Sequence, residues 1–167
     1  MIMDMLTIRK ATIDDINAIT NIYNEAITQT VSTFDTTEKT QEKMKQWFDG
    51  HGSQYPLLVA EQDNNVVGWA ALSKYSAKRA YAQTAELSLY VYQNHQGKGI
   101  GKQLMNAILK AGKYSGLHAA LARITEGNEI SVHLHESFGF THVGTLKEVG
   151  WKFGKHLDVH VMEKIFE

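Results

Sequence analysis

Short apolar runs separated by turn residues fill most of the chain, and two periodicities are interleaved in them. Leu6 to Lys10 reads as a first strand. Ile16, Ile19, Ile22, Tyr23 and Ala26 then recur at the spacing of one helix face. Thr12 stands before them as an N-cap, with Asp14 and Asp15 in the first turn, where the helix dipole favours negative charge. A second, more polar helix is predicted over Gln41 to Phe48, with Met44, Trp47 and Phe48 as its buried stripe. Past Pro56, the segment LLVAEQ reads as a strand, DNN as a turn and VVGWAALS as the returning strand of a hairpin.

A polar loop containing Lys78, Arg79 and Tyr81 leads to TAELSLYV, which is rich in strand formers. QGKGIG follows, and then KQLMNAILKAGKYSG, with Leu104, Ile108 and Ala111 on one helical face and Gly116 just past its end. HAALARI is a further strand, Asn128 opens a helix running to about Phe138, and Gly139 stops it. FTHVGTLKEVG and DVHVMEKIF close the chain as strands. No linker, repeat or low-complexity stretch divides this order of elements. The expectation is a single α/β domain over residues 1–167, with a mixed, mostly antiparallel central sheet flanked by helices.

The stretch from Glu86 to Leu109 runs from a strand through Gln96-Gly97-Lys98-Gly99-Ile100-Gly101 directly into an amphipathic helix. Successive glycines let the backbone approach a ligand closely with its N–H groups turned outward. A new helix adds unpaired N–H groups and the positive end of its dipole. Together they suit a pyrophosphate, with Lys98 adding charge; the plainer alternative is a glycine-rich turn that starts a helix. Spacing sets two other phosphate folds aside. A dinucleotide fold wants Gly-x-Gly-x-x-Gly early in a βαβ unit, and a P-loop wants Lys followed by Ser or Thr, where this chain has Lys102-Gln103.

Gln96-x-x-Gly99-x-Gly101 also resembles the acyl-CoA signature of the Gcn5-related N-acetyltransferase (GNAT) superfamily, in the expected strand-to-helix setting. The second half is similar as well: a strand, Asn128, and His135-Glu136-Ser137-Phe138-Gly139-Phe140 at a helix end. Within that superfamily the chain resembles the phosphinothricin and methionine-sulfoximine acetyltransferases almost throughout. The segments that carry this are IYNEAI, STFDT, WFDGH, PLLVAE, VVGWAAL, AYAQTAELSLYV and GWKFGKHLDV.

The resemblance implies the GNAT fold and direct transfer of acetyl from acetyl-CoA to an amine in a ternary complex. Such a reaction needs a neutral amine, and an α-amine has a pKa of about 8. Glu86 matches the glutamate assigned as base, acting through water; a solvent-facing glutamate, or one paired with Arg79, is the alternative. The acetyl-CoA-binding residues implied are Leu89, Tyr90 and Val91, through backbone groups that pair with the pantetheine arm, then Gln96, Gly97, Lys98, Gly99, Ile100, Gly101 and Lys102, and Asn128. His135 stands where many members carry a tyrosine acting as general acid towards the CoA sulfur. A titrating histidine could do the same, or serve as a structural or CoA-contacting imidazole. On the acceptor side the candidates are Phe34, Lys78, Arg79, Tyr81, Ser88, Lys152 and Phe153, besides Glu86. An arginine there suits a carboxylate or phosphinate by bidentate pairing. A homodimer is also implied.

Composition narrows the rest. Seventeen basic and eighteen acidic residues give a net charge of -1, so nothing points to a nucleic-acid partner. The absence of cysteine removes disulfides, thiolate metal sites and a cysteine acyl-enzyme. Of eight histidines, His133 and His135 lie two apart and do not share a helix face, and no HExxH occurs; no metal is expected. The start MIMDMLTIRK shows neither leader nor membrane span, so a cytoplasmic protein without a membrane partner is expected. The preferred acceptor is the α-amine of a small amino acid or analogue. The alternatives are a peptide N-terminus, a polyamine, or a non-catalytic acyl-CoA sensor that would keep Gly99 and Gly101 without needing Glu86.

Overall fold

The structure, a computed structural model, describes residues 5–167; residues 1–4, part of the stretch read as lacking a leader, lie outside them. Seven strands form one sheet in the order β1-β2-β3-β4-β5-β7-β6. They are β1 (Leu6–Lys10), β2 (Leu57–Gln62), β3 (Asn65–Lys74), β4 (Thr84–Val91), β5 (Ala119–Thr125), β6 (Thr141–Lys152) and β7 (Lys155–Ile165). Every neighbouring pair is antiparallel except β4 with β5. The helices are α1 (Ile16–Gln29), α2 (Gln41–Asp49), α3 (Ile100–Tyr114) and α4 (Glu129–Ser137).

The expected elements are present, and three details of them have local causes. Thr12 caps a short 3-10 turn over Ile13–Asp15 before α1 begins, because Asp15 reaches back to the Thr12 backbone N–H at 2.7 Å and closes the first turn tightly. The β2–β3 turn puts both Asp63 and Asn64 at positive φ (51° and 64°), the geometry of a two-residue hairpin whose twist matches its strands. The last two strands are longer than their apolar alternation suggests. They run into a second such turn at Phe153 and Gly154, φ 50° and 76°, and the alternation is blurred because Lys152 is buried while Trp151 is exposed.

Two apolar layers cover the sheet. On one face α3 packs Leu104, Met105 and Ile108 against Leu72, Ala85, Leu87, Ala120, Ala122 and Met162, with Val132 and Leu134 of α4 and Phe138 just past its end partly buried beside them. On the other, Ile16, Ile19 and Ile22 of α1 and Met44 of α2 cover Leu57, Val59, Trp69 and Ala71. Side chains alternate across a strand, so Leu87 of β4 faces α3 while Glu86, Ser88 and Tyr90 face the α1 side.

Candidate active site

The site lies where the one parallel pairing of the sheet stops. β4 pairs with β3 from Ala85 to Val91, but with β5 only at Thr84↔Ala119, Ala85↔Ala120 and Glu86↔Leu121. From Leu87 onward β4 and β5 part, leaving a backbone edge of each without a strand partner. A cavity of about 650 Å³ opens in the split, lined among others by Glu86, Ser88, Leu89 and Tyr90 of β4, Arg123 and Thr125 of β5, and Asn128, Ser131 and His135 at α4. Its outer wall is Phe34 and Asp35 after α1 together with Leu146 and Val149 of β6.

At the end of β4 the Gln96 side-chain amide donates to the Val91 carbonyl at 3.1 Å, folding the loop back on the strand. Gly97 and Gly99 have φ of 77° and 80°, and Gly99 is the N-cap of α3. The first backbone bond of that helix is donated by Gln103 to the Gly99 carbonyl, so the N–H groups of the residues just before it are free for a ligand. Lys98 and Lys102 stand exposed on either side. Gly101 needs no glycine for space within the chain, since a Cβ there would sit 3.7 Å from Leu89 and Leu134. Asn128 caps α4 by accepting from the Ser131 N–H at 3.3 Å and lines both this cavity and a neighbouring one that Gln96 also lines.

Glu86 is half-buried, and both its oxygens are engaged by Arg123: Nε donates to Oε1 at 2.9 Å and Nη2 to Oε2 at 2.7 Å. The carboxylate holds the guanidinium pKa above its ordinary value. Arg79, the basic residue expected near Glu86, is not its partner. Arg79 and Lys78 lie in the exposed loop and short 3-10 turn before β4, and neither lines the cavity. Tyr81 meets Tyr75 edge to face at 5.2 Å between ring centres.

His135 is buried, 6% exposed, and packs edge to face on Phe140. Its Nδ1 lies 2.6 Å from the Ser131 carbonyl. A carbonyl can only accept, so Nδ1 carries the proton and the neutral ring presents a bare Nε2. Burial pushes its pKa below the ordinary histidine value. Lys152 is 4% exposed, its Nζ donates to the Thr33 carbonyl at 2.8 Å and stands 5.2 Å from the Phe153 ring, and burial lowers its pKa. It thereby fastens the loop that carries Phe34 and Asp35 rather than opening into the cavity as a free cation. Phe34 lies over Gly150, where a Cβ would strike its ring. Phe153 is exposed at the β6–β7 turn.

Several residues of the site were not singled out in the sequence. Tyr23 donates to Asp35 and lies 3.0 Å from the Thr33 hydroxyl; burial and the Asp35 carboxylate raise its pKa. Tyr90, by contrast, was expected to act through its backbone; its phenol is pushed up to about 12, mainly by burial. Thr125 donates to the Val31 carbonyl at 2.6 Å, tying the end of β5 to the segment after α1. Arg123 had one signal: it is the charged residue in an otherwise apolar strand. Among the described residues no group of three or more His, Asp or Glu is placed to hold a metal ion, and no helix is long and apolar enough to cross a membrane.

The acetyltransferase (GNAT) domain pattern matches residues 8–161. The chain is 38% identical over 161 residues to a phosphinothricin N-acetyltransferase of Streptomyces coelicolor, with 94% of each chain covered. It is 36% identical over 160 residues to an L-methionine sulfoximine/L-methionine sulfone acetyltransferase of Salmonella typhimurium, covering 95% of this chain and 93% of that one. Among solved structures, a GNAT superfamily phosphinothricin acetyltransferase of Sinorhizobium meliloti in complex with AcCoA superposes with a TM-score of 0.93, at 31% identity and over 96% and 88% of the two chains. A ribosomal-protein-alanine N-acetyltransferase of Brucella melitensis superposes with a TM-score of 0.92, at 37% identity and over 96% and 99%.

Proposed function

We propose, from the premise that this chain belongs to the acetyltransferase (GNAT) family and is an acetyl-CoA-dependent N-acetyltransferase, that it acetylates the α-amine of a small amino acid or amino-acid analogue of the phosphinothricin or methionine-sulfoximine kind. The observation that carries this reading is the early end of the β4–β5 pairing, which opens a cavity of about 650 Å³ with Glu86 at its vertex. A free strand edge suits the amide-bearing pantetheine arm, which can pair with it as an added strand. The free N–H groups and dipole at the start of α3 suit the pyrophosphate. On this reading Leu89, Tyr90, Val91, the Gln96–Lys102 loop and Asn128 stand on the cofactor side.

The thioester supplies an activated acyl group, so the amine can attack it directly without an acyl-enzyme. Glu86 takes the ammonium proton, directly or through a water, and the freed nitrogen bonds the acyl carbon as the C–S bond breaks. A positioned carboxylate of this kind contributes on the order of 100- to 10,000-fold to rate. Backbone N–H groups on the open edge of β4 are placed to polarise the thioester carbonyl. For His135 the bare Nε2 favours a contact that accepts a hydrogen bond over the delivery of a proton.

The segment after α1, with Phe34, walls the acceptor side beside Ser88, and Lys152 fastens that segment through the Thr33 carbonyl, while Phe153 and Tyr81 lie outside the cavity lining. The exposed apolar residues of β6 support a homodimer, and the use of acetyl-CoA supports a cytoplasmic site of action. A second reading, in which the acceptor is a peptide N-terminus, draws support from the likeness to a protein-alanine acetyltransferase.

A thiol-release assay with acetyl-CoA separates these. The panel is free amino acids, L-methionine sulfoximine, L-methionine sulfone, phosphinothricin, spermidine and an alanine-initiated peptide. Turnover confined to the amino acids and their analogues is expected, and turnover of the peptide or spermidine alone would sink the amino-acid reading. Glu86→Gln should bind acetyl-CoA normally and turn over at least 100-fold more slowly. Unchanged turnover in that variant would remove Glu86 as the base.

A further inference from the structure

The split between β4 and β5 is bridged by opposite charges. Pairing of the two strands ends at Glu86↔Leu121, and Arg123, two residues further along β5, points to the same face as Leu121 and Glu86. Its side chain therefore reaches back across the mouth of the split to close a two-pronged ion pair on Glu86. Arg123 is 59% exposed and Glu86 27%. Among the described residues lining the cavity, Arg123 is the one lysine or arginine. Lys78 and Arg79, the residues expected to receive an acidic acceptor, lie outside it. Among the described residues, both side-chain hydrogen bonds of Arg123 go to Glu86.

An α-amino acid near neutral pH is a zwitterion, with its ammonium and carboxylate on the same carbon. Its charges are the complement of the Glu86–Arg123 pair, reversed in order. We propose that Arg123 is the receptor for the acceptor's carboxylate, and that its transfer from Glu86 to that carboxylate is what uncovers Glu86 for the amine. The proposal rests on the amino-acid reading above and gives that reading a specificity-determining residue.

The exchange conserves charge pairing. One bidentate guanidinium–carboxylate pair opens and another, of the same geometry, forms on the substrate, while the substrate ammonium takes the place of the guanidinium on Glu86. The opening is easy because the original pair is half exposed, and exposed pairs contribute little. Until the exchange, both Glu86 oxygens accept from Arg123, so neither is free to face the amine. Afterwards one oxygen faces the ammonium. Of the two protons the ammonium gives up, one leaves through Glu86 to water. The other ends on the sulfur, which receives the electron pair of the C–S bond as the new C–N bond forms.

The same arrangement selects against a polyamine or a carboxamide. Either could offer a cation to Glu86, but Arg123 would be left without an anion and next to a like charge. Selection by an unpaired charge of this kind is stronger than selection by shape, because the displaced group has no replacement partner.

The test compares L-methionine sulfone with its carboxamide on the wild type, Arg123→Gln and Arg123→Lys. For the wild type, kcat/KM should be at least 100-fold higher for the acid. Arg123→Gln should lower kcat/KM for the acid 10- to 100-fold, mostly through KM, and leave the KM for acetyl-CoA unchanged. It should also leave the carboxamide unaffected or improved. Arg123→Lys should recover part of the loss on the acid, since lysine keeps the charge and lacks the fork. Thermal melts and acetyl-CoA binding establish that the variants are folded. Equal losses on acid and carboxamide, or no loss on either, would overturn the proposal while leaving the amino-acid reading intact. A wild type silent on every amino acid of the panel would overturn that reading, and this proposal with it.

Discussion

His135 shows how one hydrogen bond decides what a side chain can do. The sequence placed a histidine where a tyrosine often acts as an acid, and a free imidazole titrating near 6.5 could fill that role. With Nδ1–H held by the Ser131 carbonyl at 2.6 Å, the neutral ring has no proton on Nε2 to give. Burial then moves protonation below the ordinary value, so the imidazolium fraction is smaller still at neutral pH. If His135 were the acid, log kcat would fall with rising pH throughout the range above that depressed pKa, and His135→Gln would abolish the slope. The expected outcome is that wild type and His135→Gln give profiles of the same shape between pH 6.5 and 8.5. A slope present in the wild type and absent in the variant would restore the proton-donor role. None of this was legible before the fold, because the partner atom is a backbone carbonyl four residues away. Glu86 and Arg123 divide the same way: Glu86 was found through the family resemblance, while its partner lies 37 positions off and follows from strand register alone.

Gly99 at the N-cap of helix α3 and Gly112 within that helix are there for different physical reasons. Gly99 sits at φ 80° with nothing within 4 Å of a built Cβ, so an alanine there would meet a conformational cost and no clash. That cost is about 1–2 kcal/mol for a non-glycine residue in the left-handed region. Gly112 is an ordinary helical position facing the sheet, where a Cβ would come within 2.5 Å of the Leu72 side chain, itself fully buried. Overpacking of that kind costs about 1–3 kcal/mol, offset in part by alanine's better helix propensity. The two variants should therefore separate stability from binding. Gly99→Ala should lose modest stability and weaken acetyl-CoA binding at least 10-fold by calorimetry, because the first N–H groups of α3 are re-aimed. Gly112→Ala should lower Tm and leave the dissociation constant within about twofold. The reverse ordering of the two dissociation constants would remove the glycine loop as the pyrophosphate cradle. The strand–loop–helix order here came straight from periodicity. The splay of β4 from β5 did not, since an apolar strand reads the same whether its neighbour stays beside it for three residues or eight.

At the scale of the molecule, the mixed sheet and its flanking helices follow from local pattern, whereas the strand order does not. β7 inserts between β5 and β6, a choice made by contacts far apart in sequence. That insertion leaves β6 as an edge strand, and its twelve residues carry Val143, Leu146, Val149 and Trp151 exposed, with Trp151 at 61%. Long apolar edges invite pairing with another chain, and a contiguous exposed apolar patch marks an interaction surface. Register shifts between His142 and Gly144 and between Leu146 and Gly150 bend the strand, which blunts open-ended stacking and favours a closed, two-fold contact. Leu146 and Val149 also line the cavity, so a second copy seated on β6 would complete the outer wall of the acceptor pocket. Trp151 is outside that lining and the most exposed of the four, which makes Trp151→Asp the informative change. Sedimentation velocity should show the wild type at twice the mass of one chain and the variant shifted to a single chain. The variant's KM for the amine should rise several-fold while its affinity for acetyl-CoA, proposed to bind between β4, β5 and α3, stays the same. A wild type that sediments as one chain at every concentration would end the dimer reading. A variant that becomes monomeric with unaltered amine kinetics would keep the dimer but detach it from the pocket.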